Sequence, residues 1–162
     1  MNTGQTLLSI GAFILLSVMI LRVNSSFLST DTVVQETKFG VLAVSLASSF
    51  IEEASKKNFD EATISNSLTD STQLSYKLGL ESHESYSNCD DFDDYNGLDS
   101  TITNLPSATF RVKCKVSYIN SSSPDGSVNH QTWNKKLTVS VSSPFSRDTV
   151  KLSSVFSYFY FR

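Results

Sequence analysis

From Gln5 to Leu21 the chain carries no charged side chain. The run reads QTLLSIGAFILLSVMIL, and as an α-helix it extends about 25 Å at ~1.5 Å per residue, the short end of what crosses a bilayer. A secretory signal peptide starts with basic residues and closes on a small-residue cleavage site. No Lys or Arg precedes this run, and it closes on Leu21-Arg22-Val23-Asn24. Retention of the segment is therefore expected, as a membrane span or as a helix that packs on copies of itself.

No proline occurs between residues 7 and 57, and the apolar pattern resumes downstream. Phe39, Leu42, Ala43, Leu46, Ala47, Phe50 and Ala54 recur at three- and four-residue steps, which marks one stripe of an amphipathic helix. Glu52 with Lys56 and Glu53 with Lys57 stand four apart in the favourable order. The intervening NSSFLSTDT is rich in side chains that compete with helical hydrogen bonds. Thr32 with Gln35 fits a capping box. A break, or an easily melted stretch, is predicted near residues 24–31.

The second half changes period. In TFRVKCKVSYIN, Phe110, Val112, Cys114, Val116 and Tyr118 alternate with Arg111, Lys113, Lys115 and Ser117, the signature of a half-buried strand. KKLTVSVSS repeats it with Leu137, Val139 and Val141 inward, and DTVKLSSVFSYFYFR reads as a third strand. SSSPDGS and SSPFSRD supply the turns. An antiparallel meander with one dry face follows, covered by the amphipathic end of the helix. The predicted fold class is α+β, a long N-terminal helix on a small C-terminal sheet. The segments are 1–4 as a candidate leader, 5–23 as the hydrophobic helix, 24–58 as its amphipathic extension and 59–162 as the β-rich domain. Burial in the sheet is expected for the terminal Phe156, Tyr158, Phe159, Tyr160 and Phe161, with a subunit contact as the sharper alternative. The net charge of −3 lacks the basic stripe of a nucleic-acid partner.

A short leader ending in Gly4, then QTLLS, a long apolar helix, an amphipathic extension and a β-meander resemble the type IV pilins and pseudopilins. FDDYNG and the late KKLTVSVSSPF…DTVKLSSVFSY are similar to the β-domains of that family. The resemblance implies cleavage by a prepilin peptidase after Gly4, with Gln5 as the new N-terminus and Thr6, Leu7 and Leu8 behind it. Ser9 stands where the family usually carries Glu. The resemblance further implies a structural subunit, not an enzyme, held in the inner membrane before assembly and then in an extracellular filament or periplasmic pseudopilus. Its partners would be copies of itself or other pilin-like subunits, with Leu7, Leu8, Gly11, Ala12, Leu15 and Leu16 packing in the filament core. The alternative is a permanently anchored extracytoplasmic binding module.

Three further features bear on function. NCDDFDDYNGLD gathers Asp90, Asp91, Asp93, Asp94 and Asn96, with Asp99 following. Hard cations such as calcium take several oxygen ligands of this kind. With Gly97 at the sixth position of an EF-hand loop, the first would be Phe92, so a calcium site here would be irregular. The plainer expectation is a solvated acidic turn closing on Asn96-Gly97. Cys89 and Cys114 could bridge on the oxidising side of a membrane, tying that loop to the first strand. Catalytic motifs are lacking: His83 and His130 both lie in polar stretches, and no nucleophile elbow, phosphate loop or zinc-protease signature occurs. No cofactor is expected, and calcium at this loop is the one candidate.

Overall fold

The computed structural model describes residues 2–82, 84–103, 105, 108–146 and 148–159. One long helix, α1 (Thr3–Ala54), leads into a short helix α2 (Glu61–Ser65) and four strands. These are β1 (Asp99–Ile102), β2 (Phe110–Tyr118), β3 (Asn134–Ser142) and β4 (Val150–Ser157), joined in the order β1-β2-β3-β4, each antiparallel to the next. The chain divides into two compact units between Lys38 and Phe39, within α1.

In the N-terminal unit α1 runs without interruption through residues 24–31, so the expected break is not formed. The competing side chains have turned back onto their own helix. Ser29 Oγ donates to Ser26 O at 3.1 Å, Thr30 Oγ1 to Ser26 O at 2.9 Å and Thr32 Oγ1 to Leu28 O at 3.0 Å. Thr32 is thereby an interior residue of the helix instead of its cap. The same bonds satisfy each hydroxyl without unwinding the backbone.

The C-terminal unit holds the core. Its part of α1 buries Phe39, Ala43, Ala47 and Ala54, with Leu42, Leu46, Phe50 and Ile51 partly covered, which is the predicted stripe. Three of these four buried positions are alanine. The sheet presents Phe110, Val112, Cys114, Val116 and Tyr118 from β2 to the same cluster, with Leu137, Val139 and Val141 from β3. Register pairs Val112 with Val141, Cys114 with Val139 and Val116 with Leu137. β1 was not foreseen. It is a short edge strand whose residues are largely exposed, too brief to show a period.

The terminal aromatics split. Phe156 and Tyr158 are buried, Phe159 is 56% exposed, and Tyr160 and Phe161 lie outside the described residues. Phe59, Phe92, Phe156, Tyr158 and Trp133 form a chain of ring contacts with centroids 4.9–5.8 Å apart, Trp133 stacking on Tyr158.

Because Ala47 is fully buried at the helix–sheet contact, Ala47→Leu should overpack it and cost ~1–3 kcal/mol. Urea unfolding of the detergent-solubilised chain, followed by the fluorescence of its single tryptophan, checks this.

Candidate functional site

Two surfaces are open to chemistry or contact. The first belongs to the N-terminal unit. Leu7, Leu8, Leu15 and Leu16 are exposed, and so are Ile10, Phe13, Ile14, Met19, Ile20 and Leu21. Beyond Arg22 the exposed apolar surface continues at Val23, Phe27, Leu28, Val33 and Val34. Ala12 is exposed too, and a Cβ added at Gly11 would meet nothing within 4 Å. Gly4 and Gln5 sit exposed in the first turn of α1. Ser9 Oγ donates to Gln5 O at 3.0 Å and is occupied within the helix. This helix is long and apolar enough to cross a membrane.

The second surface is the acidic loop, and it is not the solvated turn expected. Asp91, Asp93 and Asp94 are each 1% exposed, as deeply buried as core leucines. The loop is drawn inward by the segment after α1: Asn58 N–H donates to Asp90 O at 3.2 Å, and Phe92 N–H donates to Asn58 O at 2.9 Å. Gly97, at φ +87°, closes the loop as foreseen and leads into β1.

Part of the buried charge is met by Lys135, whose side chain is wholly inaccessible. Its ammonium donates to Phe59 O at 2.8 Å, to Asp60 Oδ2 at 2.7 Å and to Asp93 Oδ1, which uses all three of its protons. The Phe59 ring lies 4.7 Å from the same nitrogen. Asp60 doubles as the cap of α2, accepting from Ala62 N at 3.1 Å, and it also accepts from Ser75 N and Oγ at 3.1 and 3.0 Å. Burial alone raises the Asp60 carboxyl, but the Lys135 charge and these donors outweigh it, and the net displacement is downward. Asp93 ends raised, because its desolvation exceeds the pull of the same lysine.

Among the described residues the remaining carboxylates of the loop have no such partner. Asp91 Oδ1 accepts from the amides of Asp93 and Asp94 at 2.8 and 3.1 Å, and Asp94 Oδ2 accepts from those of Asp90 and Asp91 at 3.0 and 3.2 Å. Their other oxygens, Asp91 Oδ2 and Asp94 Oδ1, are buried without a hydrogen bond, and so is Glu81 Oε2. Burial and the charge of Asp93 push the Asp91 carboxyl up to about 8. Burial with the neighbouring Glu84 and Asp94 pushes Glu81 up to about 8 as well. Of the residues singled out from the sequence, Asp90, Asp91 and Asp94 come together, but Asp93 and Asn96 are diverted. The Asn96 side chain donates to Leu78 O at 3.1 Å and accepts from Val116 N at 2.9 Å. Glu81 and Glu84 were missed, since nothing in their local sequence marks them. Asp99 stands apart on the surface, gripped by Arg111 at 2.7 Å and Lys113 at 3.3 Å.

The expected Cys89–Cys114 bridge is not present, and both cysteines are buried free thiols. Cys114 fills a position on the dry face of β2 as a small apolar group, and Cys89 Sγ lies 3.6 Å from the Tyr86 carbonyl. Burial pushes the two thiols up to about 11 and about 12, which disfavours the reactive thiolate. His130 is exposed in the β2–β3 connection, and His83 lies outside the described residues.

No family model, no curated protein and no solved structure matches this chain.

Lys135→Met should leave Asp60 and Asp93 buried without their counter-charge and cost ~3–5 kcal/mol, read by the same urea titration. Both cysteines should resist alkylation in the folded chain. Without reductant, each should take one label after denaturation, giving a mass increase of two adducts.

Proposed function

We propose that the protein is a structural subunit of an extracellular type IV pilus-like filament or secretion pseudopilus. It would polymerise through its N-terminal helix after a period in the inner membrane. The supporting observation is the extent of exposed apolar surface on α1. A bilayer core is ~30 Å thick and is satisfied by about 20 apolar residues. Here the exposed apolar side chains run from Leu7 to Val34 and pass Arg22 on the way, about 40 Å of helix at ~1.5 Å per residue. A lone anchor needs only the first stretch, whereas a bundle of copies covers both.

Within this reading Gly4 and Gln5 flank the processing cut, and Leu7, Leu8, Gly11, Ala12, Leu15 and Leu16 face neighbouring helices. Small residues there let backbones approach. Ser9, bonded to its own helix, offers a neighbour's N-terminal amine no carboxylate, so cohesion rests on apolar packing. The alternative, a permanently anchored module that binds through its acidic loop, needs the helix only as a greasy cylinder.

Gly11→Leu separates the two. An added side chain at Gly11 clashes with nothing in the isolated chain, so folding and membrane levels should match wild type. In a filament the same leucine overpacks a helix contact repeated in every subunit, at ~1–3 kcal/mol each. Electron microscopy of sheared filaments should show few or none from this variant. Wild-type yield from Gly11→Leu would remove the helix from the core. A wild-type chain that stays in the membrane without forming filaments would favour the anchored module.

A further inference from the structure

An isolated carboxylate taken out of water is strongly destabilised unless a counter-charge comes with it. Asp60 and Asp93 have Lys135. Asp91 and Asp94 are equally buried, yet among the described residues no salt bridge reaches either of them. The backbone holds one oxygen of each carboxylate through two amides, which fixes the direction of the other. Those other oxygens, Glu81 Oε2 and Asp93 Oδ2 are, among the described residues, the buried side-chain atoms left without a hydrogen bond. The three carboxylates that carry Asp91 Oδ2, Asp94 Oδ1 and Glu81 Oε2 converge: Glu81, Asp91 and Asp94 each place one oxygen within 4.8 Å of the other two. Glu84 and Asp90 close on Asp94 to the same limit at the more open side.

We propose that Glu81, Asp91 and Asp94, with Glu84 and Asp90 at the rim, form a binding site for a single calcium ion. The donor set is entirely oxygen, which selects a hard cation over zinc or copper. Calcium accepts six to eight oxygens at ~2.3–2.6 Å in irregular geometry, whereas magnesium demands a near-perfect octahedron and keeps several waters. Ligands carried by two separate loop segments, 81–84 and 90–94, suit the former. The site is not an EF-hand, and it differs from the ligand set expected from the sequence, since Asp93 and Asn96 are used elsewhere. It stands whether or not the chain forms filaments.

The full-length chain in detergent, stripped with chelator, is titrated with calcium chloride by calorimetry, and its melting is followed by Trp133 fluorescence. One ion per chain is expected, with a dissociation constant at or below the order of 10⁻³ M. The melting temperature should rise with calcium, because the ion binds only the folded state. Asp94→Asn should abolish saturable binding. Glu84→Gln, at the half-buried rim, should stay folded and lose roughly tenfold in affinity, and it decides the question if Asp94→Asn fails to fold. Asp99→Asn, paired with Arg111 outside the cluster, should bind as wild type. The proposal is overturned by no saturable binding to wild type, by wild-type affinity in Glu84→Gln and Asp94→Asn, or by tighter binding of magnesium. It is also overturned if wild type ignores calcium while Asp91→Asn gains stability in chelator, the mark of protons shared among the carboxyls.

Discussion

An ammonium sealed from water organises the C-terminal unit. Lys135 reaches from β3 to a carbonyl and a carboxylate just past the end of α1 and to a second carboxylate in the acidic loop. A buried charge that loses one partner is destabilising by several kcal/mol. These three segments are therefore bound to appear together or not at all. The interaction also fixes strand register. Lys135 lies opposite Tyr118 and Phe156, and a slip of one residue would turn it to solvent, send Leu137, Val139 and Val141 outward and leave two carboxylates stranded.

Around that point the unit divides its work between packing and charge. The alanines of α1 share one apolar cluster with the inward residues of β2 and β3, and the aromatic chain from Phe59 to Trp133 ties in the end of β4. The acidic side holds more buried negative charge than one lysine neutralises. That surplus distinguishes the loop from an ordinary hydrogen-bonded turn and is what the proposed calcium ion would offset.

Periodicity carried most of the fold. The stripe from Phe39 to Ala54 and the alternation in β2 and β3 are regular enough that each buried position could be assigned from spacing. The interruption expected near residues 24–31 did not form because Ser and Thr can bond either into a cap or back along the helix, and composition does not say which. β1 is too short for a pattern. The buried charge of Asp93 is met by Lys135, some forty residues later in the chain. One signal did point there: the inward face of KKLTVSVS, extended by two residues from Leu137, lands on Lys135, a charge on the dry side that required buried acids elsewhere. Glu81 and Glu84 had no such marker. Their place beside Asp94 is set by how the loop after α2 wraps the domain, which no local pattern encodes.

The hydroxyls of α1 that bond back to their own carbonyls bear on where this helix can reside. Ser17 Oγ lies 2.8 Å from Phe13 O and Thr37 Oγ1 2.8 Å from Val33 O, with Ser29, Thr30 and Thr32 bonded likewise. A side chain that brings its own acceptor makes no demand on the surrounding medium. The outer face of the helix thus behaves as more apolar than its composition, and moving it between hydrocarbon and a bundle of like helices requires no exchange of hydrogen-bond partners. Solvation of these groups is settled within the chain, before any neighbour, lipid or protein, arrives.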